Sequence, residues 1–287
     1  STRKESSAAS DVYKRQGLDS RFVIETRIDI PSIQRQLPAD TMWGPLDYVA
    51  STGSTNADLS VEAHAGGAAG HVLFAGEQTA GRGRLARTWV TPPDAAVAMS
   101  MLLAPTQPRE RWGWLSLLTG LAVADALGAL APSDVDVTLK WPNDVLVDDG
   151  KVCGVLSELV ESPSGARAVV GLGINLTLTK EQLPVPTANS LLLAGFETTA
   201  SDVVAGVLTH FERYYREWER TGTLRDEYRA RCSSIGADLT ISVTGSDPIP
   251  GTGHDVDHDG RLEVRTARGV EAFAVGDVVH ALSLIHI

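Results

Sequence analysis

The chain is 287 residues long, 43% hydrophobic, and carries a formal net charge of −11 with a sequence pI near 5.1. That acidity argues against binding long nucleic acid, which draws on Lys and Arg to neutralise phosphates. Cys153 and Cys232, lacking any metal-ligand spacing, suggest neither a disulfide framework nor a zinc site and suit a reduced, cytoplasmic setting.

At the ends, residues 11–16 read DVYKRQ and the last six read LSLIHI. Codons for the first, GAT GTG TAT AAG AGA CAG, are the reverse complement of codons for the second, so 1–16 and 282–287 are expected to be adapter-derived tails. DYVAST at 47–52 reads as a strand, and Ser54 or Thr55 is placed to cap a helix running to about Ala65. HVLFAGE (71–77) and AVAMSMLLA (96–104) read as strands, and 109–130 has helical length with leucines three and four apart. The apolar run 115–131 contains Asp125 and is shorter than the roughly 20 residues of a membrane span, so a buried helix is expected.

VDVTLKW, DVLVDD, KVCGVLSELV and AVVGLGINL follow as strands, with Asp149-Gly150 as the expected hairpin turn between the second and third. Residues 201–220 and 224–233 read as helices with a solvated Arg- and Glu-rich face. From Ile235, short alternating strands (ADLTISV, GRLEVRT, EAFAVGDVVH) predict a small β-barrel, with GHDVDHDG at 253–260 as a hairpin tip rather than a metal site.

Five motifs carry chemistry: Ser54-Thr55-Asn56, Gln78 with AGRGR, KWPND at 140–144, GKVCG at 150–154, and GLGIN at 171–175. GLGIN alone is a weak signal, since Gly-x-Gly sequences are common and this one lacks dinucleotide-fold spacing. KWPND gathers Lys140, Asn143 and Asp144 around a Trp-Pro turn at a strand end. Of the five lysines beside twenty arginines, Lys140 and Lys151 fall inside these motifs, where a compact ammonium does what a planar guanidinium cannot.

In this order and spacing, TGSTNADL, QTAGRGR, KWPNDV, GKVCGVLSE and VVGLGINL closely resemble the biotin protein ligases, from about Tyr48 to His280. The resemblance implies an α+β fold: a mixed-sheet catalytic domain packed with helices over 17–234, and an SH3-like β-barrel over 235–281. It implies an enzyme that uses ATP and Mg²⁺ to convert biotin to biotinyl-5′-adenylate, releasing pyrophosphate. The biotinyl group then passes to one lysine of a biotin carboxyl carrier protein, with no nucleic acid or membrane partner. Some relatives begin with a DNA-binding helix-turn-helix, for which Gly17 to Tyr48, with three prolines, is too short. A lipoate ligase of the same fold, a biotin-responsive repressor and a non-catalytic binding module are the alternatives.

Residue by residue, the resemblance puts Ser54, Thr55, Asn56 and Gln78 on biotin's polar ring, with Gly154 also at biotin. Gly81 and Gly83 let the backbone approach the ligand, while Arg82, Gly83 and Arg84 face the biotin carboxyl and the adenylate phosphate, in a flap mobile when empty. Lys151 corresponds to the catalytic lysine between carboxyl and phosphate. Lys140, Asn143 and Asn175, with Arg84, are similar to ATP-side residues, Mg²⁺ being held mainly through substrate phosphates. Asp144 is placed to handle the acceptor lysine's proton. Ala86 stands where relatives often carry glycine, so a different shape is expected on the far side of the flap, around Arg87.

Overall fold

The computed structural model describes residues 24–280, so both expected adapter tails lie outside the described residues. The chain begins with β1 (Ile24–Glu25) and α1 (Ile30–Gln36), then β2 (Leu46–Thr52), α2 (Thr55–His64), β3 (Val72–Gln78) and β4 (Ala96–Leu103). Next come α3 (Trp114–Leu130), β5 (Val137–Lys140), β6 (Asp144–Val147), β7 (Gly150–Val160) and β8 (Arg167–Asn175). β9 (Thr198–Thr199), α4 (Ala200–Thr221) and α5 (Arg225–Arg229) precede the C-terminal strands β10 (Asp238–Ser242), β11 (Ile249–Val256), β12 (Leu262–Thr266), β13 (Gly269–Phe273) and β14 (Asp277–His280).

Seven strands form one mixed sheet in the order β2-β3-β4-β8-β7-β6-β5, parallel only between β2 and β3. Side chains alternate across it with period two. Leu73, Leu102 and Val169 pack under α2 with Leu59 and Ala63, whereas their neighbours Val72, Phe74, Met101, Leu103 and Val170 enter the larger core shared with α3 and α4. Covered on both faces, β4 is buried along its whole length, which is why it reads as a continuous apolar run.

Arg109–Leu130 is apolar enough by length and composition to cross a membrane, and it lies mostly buried in this core, Trp114, Leu118 and Leu121 being fully enclosed. α4 starts where the Thr199 side chain accepts from Asp202 N–H and stops at Gly222, whose φ of 78° is left-handed.

Three expectations need correction. The β6–β7 turn uses Asp148 and Asp149, at φ 48° and 62°, while Gly150 already pairs with Val147 as the first strand residue. The helix expected over 224–233 ends at Arg229, because residues 231–233 run beside β5: Leu139 N–H donates to Arg231 O and Ser233 N–H to Leu139 O. In addition, residues 253–256 of the expected hairpin tip fall within β11, and the turn itself is confined to 257–260.

The C-terminal region forms a five-stranded antiparallel sheet, order β13-β12-β11-β10-β14. At 253–260 the acidic residues are engaged by arginines, Asp255 by Arg225 and Asp257 by Arg261. This sheet shares the main core through Leu239, Ile241, Val256 and Leu262, and Trp114 Nε1 and Trp141 Nε1 donate to the carbonyls of His258 and Gly260. Backbones touch at Gly253, where an added Cβ would stand 1.8 Å from Ser234 O. Gly253→Ala is therefore expected to cost about 1–3 kcal/mol of stability through overpacking, measured by urea unfolding; an unchanged midpoint would contradict that close approach.

Candidate functional site

A cavity of about 560 Å³ opens where β3, the start of α2, β7, β8 and the β5–β6 turn meet β14. Of the residues expected to hold ligand or carry chemistry, from Ser54 to Asn175, all but Gly81 line it. An added Cβ at Gly81 would lie 2.3 Å from Trp89 O, so this glycine serves pairing inside the arginine loop.

One end of the site is a chain of hydrogen bonds. Thr55 N–H, in the first turn of α2, donates to Gln78 Oε1 at 2.8 Å, so a side chain from β3 caps this helix. Ser54 holds the N-cap position and makes no side-chain cap bond, which corrects the expected capping. Thr55 Oγ1 lies 2.7 Å from Ser100 Oγ, and Ser100 donates to Asn56 Oδ1 at 2.6 Å. Asn56 Nδ2 donates to Glu158 Oε2 at 2.7 Å and to Leu156 O, and Arg82 reaches the same Glu158 oxygen at 2.9 Å. Both hydrogens of the Asn56 side-chain amide are thus engaged within the chain, whereas Gln78 Nε2 donates to no group among the described residues.

GLGIN lies in a strand, as expected of AVVGLGINL. Gly171 and Gly173 lie within β8, where Gly171 leaves room for the Asn56 amide and Gly173 for the Trp89 indole. Trp89, Ser100 and Glu158 were not singled out by motif. A hydroxyl amid the apolar AVAMSMLLA and an aromatic closing an Arg–Gly loop were the available signals.

The other end is cationic. Five basic side chains, Arg82, Arg84, Arg87, Lys140 and Lys151, line the cavity against two carboxylates, Asp144 and Asp277. Lys151 Nζ stands 2.6 Å from Asp144 Oδ1. Burial pushes the Lys140 ammonium below the usual lysine range, with Lys151 adding to the effect and Asp144 opposing it. Burial likewise lowers Arg84, which remains a cation and acts in a partly desolvated setting where its field is stronger. Arg84 donates to Asn143 Oδ1 at 3.0 Å, while Asn143 Nδ2 is anchored on Val155 O. Asn175 is buried and donates to Asn189 O.

The loop is a small hairpin: Arg82 pairs with Thr88, and Trp89 N–H donates to Gly81 O. Its left-handed residue is Leu85, at φ 55°, one position before Ala86. Arg87, whose surroundings were expected to differ, pairs with Asp277 on β14.

Residues 49–175 match the biotin/lipoate A/B protein ligase family. The biotin–[acetyl-CoA-carboxylase] ligase of Mycobacterium tuberculosis is 38% identical over 259 residues, covering 88% of this chain and 96% of the relative. That of Paracoccus denitrificans is 31% identical, covering 80% and 98%. In fold, the chain is similar to the Aquifex aeolicus biotin protein ligase in complex with biotin and ATP, with a TM-score of 0.70, 24% identity, and 83% and 99% of the two chains covered. The Leishmania major biotin protein ligase in complex with biotinyl-5-AMP is similar at a TM-score of 0.55 and 25% identity, covering 80% and 98%. With its motifs gathered on one cavity and its sequence aligned across nearly the full length of two such ligases, the chain belongs to the biotin protein ligases of the biotin/lipoate A/B family.

Proposed function

We propose that this chain is an ATP-dependent biotin protein ligase, and one observation carries the reading: a single cavity joins an end lined by Ser54, Thr55, Asn56 and Gln78 to a cluster of five basic side chains. A uncharged polar ring bearing a carboxylate tail suits the first end, and a nucleotide triphosphate suits the second. Similar structures hold biotin, ATP or biotinyl-5-AMP, which favours biotin over lipoate.

In the first step a biotin carboxylate oxygen bonds to the α-phosphorus of ATP and pyrophosphate leaves. Lys151 and Arg84 offset the repulsion between these two anions, and Lys140 and Asn143 attend the phosphates. Ser54, Thr55 and Gln78 receive the ring, with Asn56 holding their frame, and Gly154 gives the ligand's chain room. Asn175 supports the ATP side through its bond to the 189 carbonyl. Mg²⁺ fits as a companion of the nucleotide held mainly by phosphate oxygens. When bound it neutralises charge on the departing pyrophosphate.

In the second step the amine of a carrier lysine attacks the acyl carbon, AMP leaves, and the amine gives up a proton. Its partner is a biotin carboxyl carrier domain in the cytoplasm. An acidic enzyme suits a small-molecule and protein partnership rather than long nucleic acid. The catalytic unit divides from the C-terminal unit near residue 234.

Asp144 is assigned to the amine's proton, since a free lysine of pKa about 10.4 is almost wholly charged at neutral pH. Asp144→Asn is expected to slow transfer of supplied biotinyl-adenylate while adenylate still forms. Equal slowing of both halves would instead reassign Asp144 to holding Lys151. The function itself is tested by incubating the protein with ATP, Mg²⁺ and either biotin or lipoate. Mass spectrometry is expected to find biotinyl-adenylate; lipoyl-adenylate alone would overturn the reading.

A further inference from the structure

The arginine loop grips three separate elements with its three arginines. Arg82 holds Glu158 on β7, and Arg84 holds Asn143 in the β5–β6 turn. The remaining contacts fall at the start of β14: Arg84 donates to Gly276 O at 3.4 Å, and Arg87 pairs with the Asp277 carboxylate. Arg87 is 66% exposed along its side chain and Asp277 23%, so the acid is the seated member of the pair and the arginine the member that reaches. Asp277, Val278 and Val279 also line the cavity, which puts this contact on its rim.

We propose that Asp277 is the clasp of the arginine loop, a positioning residue through which the C-terminal sheet holds Arg84 and Arg87 over the cavity. The loop's own backbone bonds fix its hairpin shape, and they do not fix where the hairpin lies. Its placement comes from side chains, and Asp277 is the anion that Arg87 finds there. An exposed ion pair is weak and screened by salt, so the clasp biases the loop toward closure without locking it.

Hydrogen exchange of the ligand-free protein tests this without reference to any activity. In Asp277→Asn the amides of residues 82–90 are expected to exchange about 2–5-fold faster than in the wild type, the range an exposed ion pair supports. Molar salt should bring the wild type toward the variant, and the exchanged pair Arg87→Asp with Asp277→Arg should restore slow exchange. Unchanged loop exchange overturns the clasp, as does faster exchange spread across β10–β14, which would make Asp277 a general support of its sheet. A second arm rests on the ligase reading: preformed biotinyl-adenylate should dissociate 2–5-fold faster from Asp277→Asn, and an unchanged off-rate counts against the clasp. If the wild type forms no adenylate, that reading fails, and the exchange measurement still decides the clasp.

Discussion

Lys151→Ala is expected to lower adenylate formation by roughly 10²-fold or more, in line with the loss of one preorganised contact to charge that develops in the transition state. The Lys151 backbone is held on both sides, its N–H donating to Thr187 O and its carbonyl accepting from Asn189 N–H, so the side chain leaves the sheet from a defined point. Its ammonium reaches Asp144 at 2.6 Å, in a cavity where Lys140 is the other ammonium. Alanine deletes the cation and leaves Asp144 without this partner. Lys151→Arg is expected to recover little, because a planar fork is longer than the ammonium and distributes its donors differently. Pyrophosphate release and direct detection of the adenylate measure the effect, with thermal unfolding as the control. Near-normal adenylation by the folded alanine variant would remove Lys151 from the chemistry.

Gly171→Ala is the second large effect, and it acts at the opposite end of the cavity. A methyl group here would stand 2.0 Å from Asn56 Oδ1 and 3.1 Å from Ser100 Oγ, closer than the packed interior tolerates. Asn56 must then leave Ser100 and Glu158, and the bond to a carboxylate is worth about 1.5–3 kcal/mol. Loss of that frame is expected to raise the KM for biotin roughly 10–100-fold, at about 1.4 kcal/mol per decade. Shortening the displaced residue provides the control. Gly171→Ala with Asn56→Ser should regain thermal stability through relief of the clash while remaining weak for biotin. An unaltered KM in the single variant would show that the Asn56 frame does not shape the ring site.

The residues that carry charge were legible because they occur in short local groups whose composition is unusual for this chain. Arg82 and Arg84 sit among glycines, and the two lysines stand out against a strong preference for arginine. All four line one cavity. What escaped the sequence is what cross-strand pairing assembles. Ser100 meets Asn56 from 44 positions away, Glu158 meets it from 102, and Asp277 meets Arg87 from 190. No local pattern announces such partners.

The glycines of β8 show a related limit: AVVGLGINL reads as a strand, but its composition does not name the distant side chains that the two glycines admit, Asn56 at Gly171 and Trp89 at Gly173. The hairpin displaced by one residue shows how weakly Asp148-Asp149-Gly150 specifies which two of the three will adopt positive φ.

The two indoles that donate into the C-terminal sheet tie the reaction to cooperativity. Trp141 belongs to the turn that presents Lys140 and Asn143, and its N–H ends on Gly260, while Trp114 opens the central helix and ends on His258. Free energy lost in the last five strands is therefore felt across one continuous apolar core. A substitution far from the cavity would reduce the fraction of molecules able to react while leaving the turnover of each folded molecule as it was.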